Sequence, residues 1–166
     1  MVRSATFEDV PALAELHVAA WRAAYKGLMP QELLDALRVA EREKMWQNAL
    51  RQPGEEVFVY EREGRLLAFG SLGRQRDADK GADSKELLTL YALPEVWGQG
   101  VGKALWLRML KSLQAQHLRE VTLWVLKGNE RGISFYEKAG FAPDGKEKLE
   151  SWHGHELCEL RYVKSL

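Results

Sequence analysis

Apolar and polar positions follow two rhythms along this chain, and the changes from one to the other predict its elements. Val2 to Ala5 reads as a short strand. Thr6 then sits as an N-cap ahead of a helix, with Glu8 and Asp9 in its first turn and Val10, Leu13, Ala14, Leu16 and Trp21 recurring at helical spacing. Gly27 and Pro30 punctuate its end. Helices are expected over residues 31–37 and 39–50, and Pro53 with Gly54 breaks the pattern. The segments EVFVYERE and RLLAFGSLG read as two strands joined by a hairpin turn at Glu63 and Gly64. RQRDADKGADS, residues 74–84, reads as a polar loop and the least ordered stretch. A third apolar run starts at Glu86, bends at Pro94 and passes Gly98, Gly100 and Gly102 into KALWLRMLKSLQAQ. That segment reads as a helix with Ala104, Leu107 and Leu110 along its apolar stripe. EVTLWVL is a strand rich in β-formers, NERGISFYEKA a short helix stopped by Gly140. Phe141 and residues 157–163 supply two last strands around a turn at His153 to His155.

Helices and strands alternate through the second half, so a mixed sheet with helices on its faces is expected. At 166 residues the chain is the length of one domain, 1–166, and 46% hydrophobic with 29% charged residues suits a soluble globular protein. Lys plus Arg and Asp plus Glu number 24 each, so no basic excess marks a nucleic-acid binder. The N-terminus has no apolar signal region, and no apolar run reaches membrane-spanning length. One cysteine, Cys158, rules out an internal disulfide. These features fit the cytoplasm and give no sign of nucleic acid or membrane as partner.

The three glycines occupy a strand-to-helix turn. Without Cβ atoms the chain can approach a ligand closely and aim N–H groups into a concavity at a helix N-terminus, which suits phosphate. A P-loop is excluded twice, because Trp97 stands where its first glycine belongs and Ala104 where its hydroxyl belongs. A dinucleotide fingerprint meets Gly98 and Gly100 but finds Lys103 at its third glycine.

The turn, followed by its long helix, resembles the acyl-CoA-binding signature of the GNAT superfamily of N-acetyltransferases, although Trp97 replaces the family's Arg or Gln. NERGISFYEKAGF, from Asn129 to Phe141, is similar to a second GNAT motif. The order of elements also matches, over nearly the whole chain. The resemblance implies a GNAT-like α/β (α+β) fold: a mixed, mostly antiparallel sheet of six to seven strands, four to five helices, and a bulged fourth strand. It implies acetyl-CoA as co-substrate, without a metal, held by Tyr91, Ala92, Leu93, Gly98, Gln99, Gly100, Val101, Gly102, Lys103, Asn129 and Tyr136. The bulge is expected at Tyr91 to Leu93, whose backbone N–H groups would face the thioester oxygen.

An amine attacking a thioester needs a base, an oxyanion donor and a proton for the departing thiolate. The resemblance gives the last role to Tyr136, a phenol with an ordinary pKa of about 10 facing a thiol of about 8.5. It gives the base role to Glu86, which is otherwise an exposed carboxylate at a loop end. Trp21 and Tyr25, one helical turn apart, are either core residues or a wall of the acceptor pocket. Trp46, Trp106 and Trp124 read as core or half-buried. His17 and His117 read as helix-surface residues, His153 and His155 as an exposed turn, and Cys158 as a structural thiol. Direct transfer to a primary amine in a ternary complex is the leading reading, since no nucleophilic Cys is positioned for an acetyl-enzyme. The acceptor is open between a small molecule and a peptide amine. A non-catalytic acyl-CoA sensor and a protein Nα-acetyltransferase are the alternatives, and a homodimer through LCELRYVKSL is suggested by analogy with relatives.

Overall fold

The computed structural model describes residues 1–166. Seven strands form one sheet: β1 (Val2–Ser4), β2 (Glu56–Arg62), β3 (Arg65–Arg74), β4 (Ser84–Ala92), β5 (Glu120–Leu126), β6 (Ala142–Trp152) and β7 (His155–Ser165). Their order across the sheet is β1-β2-β3-β4-β5-β7-β6. Every pair is antiparallel except β4 with β5. The helices are α1 (Val10–Tyr25), α2 (Gln31–Asp35), α3 (Val39–Arg51), α4 (Val101–Ala115) and α5 (Glu130–Lys138).

Period-two alternation sends neighbouring residues to opposite faces. Phe58, Leu72, Leu87, Leu123 and Val125 pack with Leu105, Trp106, Met109 and Leu113 of α4. Val57, Val59 and Phe69 pack on the other face with Leu13, Leu16 and Trp46 of α1 and α3. Gly70 lets Met109 lie flat on the sheet, because a Cβ there would stand 2.8 Å from its sulfur. Arg22 of α1 bonds the carbonyls of Leu34 and Leu37, which fixes α2 beneath α1.

Several expectations change. The buried stripe of α4 is Leu105, Trp106, Met109 and Leu113, whereas Leu107 is exposed. His17 is 2% exposed, not on the surface. The bulge of β4 falls at Leu88, not at Tyr91 to Leu93: Leu72 pairs with Leu87 and Ser71 with Thr89. β6 has eleven residues that are almost all exposed, so no apolar alternation announces it. The polar loop 75–83 is tied down rather than loose. Arg161 of β7, 3% exposed, grips Asp77 and Asp79 of the loop and Asp144 of β6. The Trp124 indole N–H also donates to Asp77.

Candidate active site

β4 and β5 pair only from Ser84 to Glu86 against Glu120 to Thr122. Beyond that point they part, and no strand fills the gap. A cleft of about 930 Å³ follows it, from the glycine turn past Leu87 to Ala92 and Trp124 to Tyr25 and Leu28. At one end Gly98 (φ 73°) and Gly100 (φ 78°) adopt left-handed backbone, with nothing within 4 Å of where a Cβ would stand. The N–H groups of Gly98, Gly100, Val101, Gly102 and Lys103 have no acceptor in the protein, while that of Gln99 bonds Val96. Five free donors at the N-terminus of a fifteen-residue helix make an anion cradle with room for a diphosphate. Coenzyme A therefore fits these residues.

Trp97 donates its indole N–H to the Ala92 carbonyl at 2.9 Å. The Arg131 guanidinium lies 3.4 Å from the Trp97 ring centroid, and both residues line the cleft. A cation from α5 thus stands beside the turn where Trp97 itself supplies none. Sequence reading missed this pair, because 34 positions separate its members. Asn129 caps α5 by accepting from the Gly132 N–H at 3.1 Å.

Along the gap, Leu93 donates its N–H to Leu67 of β3. Antiparallel alternation then turns Tyr91 to β3 as well, and leaves the Leu90 and Ala92 amides facing the gap. Of the expected trio, only Ala92 keeps a donor there. Tyr136 lines the opposite wall. Burial, then the neighbouring Tyr25, pushes its phenol well above the ordinary value. It therefore keeps its proton through the physiological range.

Tyr25 and Tyr91 bond to each other through their hydroxyls at 2.6 Å, and burial raises the Tyr25 phenol to about 12. Trp21 packs edge-on against Tyr25 and Trp152 and does not line the cleft. Glu86 is 1% exposed, not at a solvent-facing loop end, and Arg76 donates to both of its oxygens. That ion pair ties both oxygens to Arg76. No group of three or more His, Cys, Asp or Glu is placed to hold a metal. No helix is long and apolar enough to cross a membrane.

Comparison with known proteins gives concordant findings. The family model described as "Acetyltransferase (GNAT) family" matches residues 11–141. The chain is 33% identical over 137 residues to the uncharacterized N-acetyltransferase YuaI of Bacillus subtilis, covering 82% of this chain and 76% of that one. It is 27% identical over 165 residues to the spermidine N(1)-acetyltransferase of Thermoplasma acidophilum, covering 97% and 96%. Among solved structures, the ribosomal-protein-alanine N-acetyltransferase of Brucella melitensis superposes with a TM-score of 0.79 at 25% identity, over 100% and 99% of the two chains.

Proposed function

This chain belongs to the acetyltransferase (GNAT) family and is an acetyl-CoA-dependent N-acetyltransferase; on that premise we propose that it acetylates a primary amine by direct attack in a ternary complex. The observation that carries the reading is the continuity of one cleft from the free amides at Gly98 to Lys103, through the β4–β5 gap, to Tyr136 and Tyr25. The glycine-turn amides hold the diphosphate, with Arg131 beside them. Acetyl-CoA supplies an activated acetyl thioester. The Leu90 and Ala92 amides, aimed into the gap, stabilise negative charge on the carbonyl oxygen during attack, and such fixed donors are worth about 3 kcal/mol each in comparable sites. Tyr136 donates a hydrogen bond to the departing sulfur.

A polyamine is the acceptor class we favour. The spermidine acetyltransferase of Thermoplasma acidophilum aligns over nearly the whole chain, and on the sheet face beside Tyr25 the carboxylates Glu86 and Glu150 are each paired with a cation while Glu159 is left with a free negative charge.

The test follows free thiol with acetyl-CoA and a panel of polyamines, other alkylamines and peptides with free N-termini. Thiol release with a polyamine, and acetylated product by mass, is the expected result. Tyr136→Phe should lower kcat about a hundredfold while coenzyme A still binds. Tight coenzyme A binding without thiol release over any acceptor would instead identify a sensor. Preference for peptide N-termini would identify a protein Nα-acetyltransferase.

A further inference from the structure

Glu86 is tied to Arg76, whereas a second carboxylate on the same sheet face has no partner. Glu159 of β7 lies opposite Leu126 of β5 and Lys148 of β6. Two residues along β5 from Leu126, on the same face, stands Trp124, a wall of the cleft. Leu126 packs with Tyr25, another wall. The Glu159 carboxylate has neither a hydrogen bond nor an ion pair within the protein, unlike Glu86, held by Arg76, and Glu150, paired with Lys148 at 3.1 Å.

We propose that Glu159 is the carboxylate that receives the proton of the acceptor's ammonium. The proposal rests on the transferase reading above and adds the residue that makes the amine nucleophilic. Its surroundings suit the task. Burial raises its pKa, the negative charges of Glu150 and Glu86 push the same way, and Lys148 and Arg76 oppose them. The phenols facing it, Tyr25 and Tyr91, are themselves raised in part by its charge, so both stay protonated and neither competes for the proton. A carboxylate whose proton affinity is raised in this way is better suited to accepting a proton.

The chemistry balances. The ammonium gives one proton to the Glu159 carboxylate, and the free amine attacks the thioester carbon. The new N–C bond forms and the C–S bond breaks. The nitrogen then loses its second proton as the thiolate sulfur gains one, so the single proton released overall sits on Glu159 and leaves to solvent.

The experiment compares two nucleophiles on the full-length protein: whichever primary alkylamine of the panel turns over fastest, which is cationic at pH 7, and hydroxylamine, which is already neutral. Glu159→Gln should lose about a hundredfold in kcat/KM at pH 7 toward the alkylamine, with the deficit narrowing as pH rises and the amine deprotonates unaided. Toward hydroxylamine the same variant should stay within about threefold of wild type, and Glu159→Asp should recover part of the alkylamine activity. Coenzyme A affinity and thermal midpoint are expected to match wild type. Equal losses on both nucleophiles, or an unchanged pH profile, would overturn the proposal. A wild-type protein that binds coenzyme A yet acetylates neither nucleophile would overturn the transferase reading, and this assignment with it.

Discussion

The glycines of the turn do different work. Gly98 and Gly100 are required by conformation, since both have positive φ and open space around the missing Cβ. Gly102 has ordinary backbone and permits a close approach: a Cβ would stand in tight contact with the Phe135 ring of α5, at 3.3 Å. A left-handed alanine costs about 1–2 kcal/mol, and its methyl would occupy open space beside the free amides of the turn. Gly100→Ala should therefore lower the unfolding free energy by about 1 kcal/mol. We expect it also to weaken coenzyme A binding about tenfold, a loss of about 1.4 kcal/mol. Calorimetric titration and thermal unfolding read the two effects separately, and unchanged affinity would mean that the turn does not cradle the ligand. The glycine spacing was legible in the sequence because it is local. Arg131 over Trp97 was not, since the sequence showed only that position 97 lacks a polar side chain.

Among the elements, those whose neighbours in sequence are also their neighbours in space could be read directly: the β2–β3 hairpin, α4 after its turn, and β5 leading into α5. β6 could not. It is an edge strand, exposed on both faces, so the burial that imposes a period-two pattern is missing, and the expectation of a strand there goes no further than Phe141. The segment 75–83 deceived for a related reason. Its polarity suggests disorder, yet those polar groups serve one buried cation 80 or so positions away. Arg161 also stacks near Trp124, so loop, sheet and cleft wall share one anchor. Arg161→Met should leave Asp77 and Asp144 repelling each other in a partly buried site and cost about 3 kcal/mol. Because Arg76 rides on this loop, release should also loosen its grip on Glu86. Hydrogen exchange should show amides 75–83 losing protection before the strands do. Uniform loss throughout would mean that the loop is held by something else.

At the scale of the molecule, the two faces of the sheet divide the work. The α4 face carries the cradle, and the α1 face carries Tyr25, Glu86 and Glu159, with the β4–β5 gap as the passage between them. The stability of the α1 face depends on a packing choice that composition does not disclose. His17 is enclosed by Trp21, Trp46, Phe69 and Tyr91. Neither of its ring nitrogens finds a partner, and nor do the indole nitrogens of Trp21 and Trp46. Burial, helped by the nearby Arg42 charge, drives its pKa from 6.5 down to about 3. The folded state thus keeps His17 neutral, while the unfolded chain takes up a proton once the pH falls below 6.5. Its effect on stability is therefore absent above that pH and grows as acid is added, by up to about 1.4 kcal/mol per pH unit, until the folded protein is also protonated near pH 3. His17→Phe keeps an aromatic ring in an aromatic pocket and removes two unpaired polar atoms. We expect it to raise stability by about 1 kcal/mol at pH 7, and its advantage over wild type should widen steadily between pH 6.5 and pH 4 in urea titrations. A constant difference between the two proteins across that window would mean that His17 is already hydrated in the native state, and that the aromatic cluster is not the dry support for Tyr91 that its packing implies.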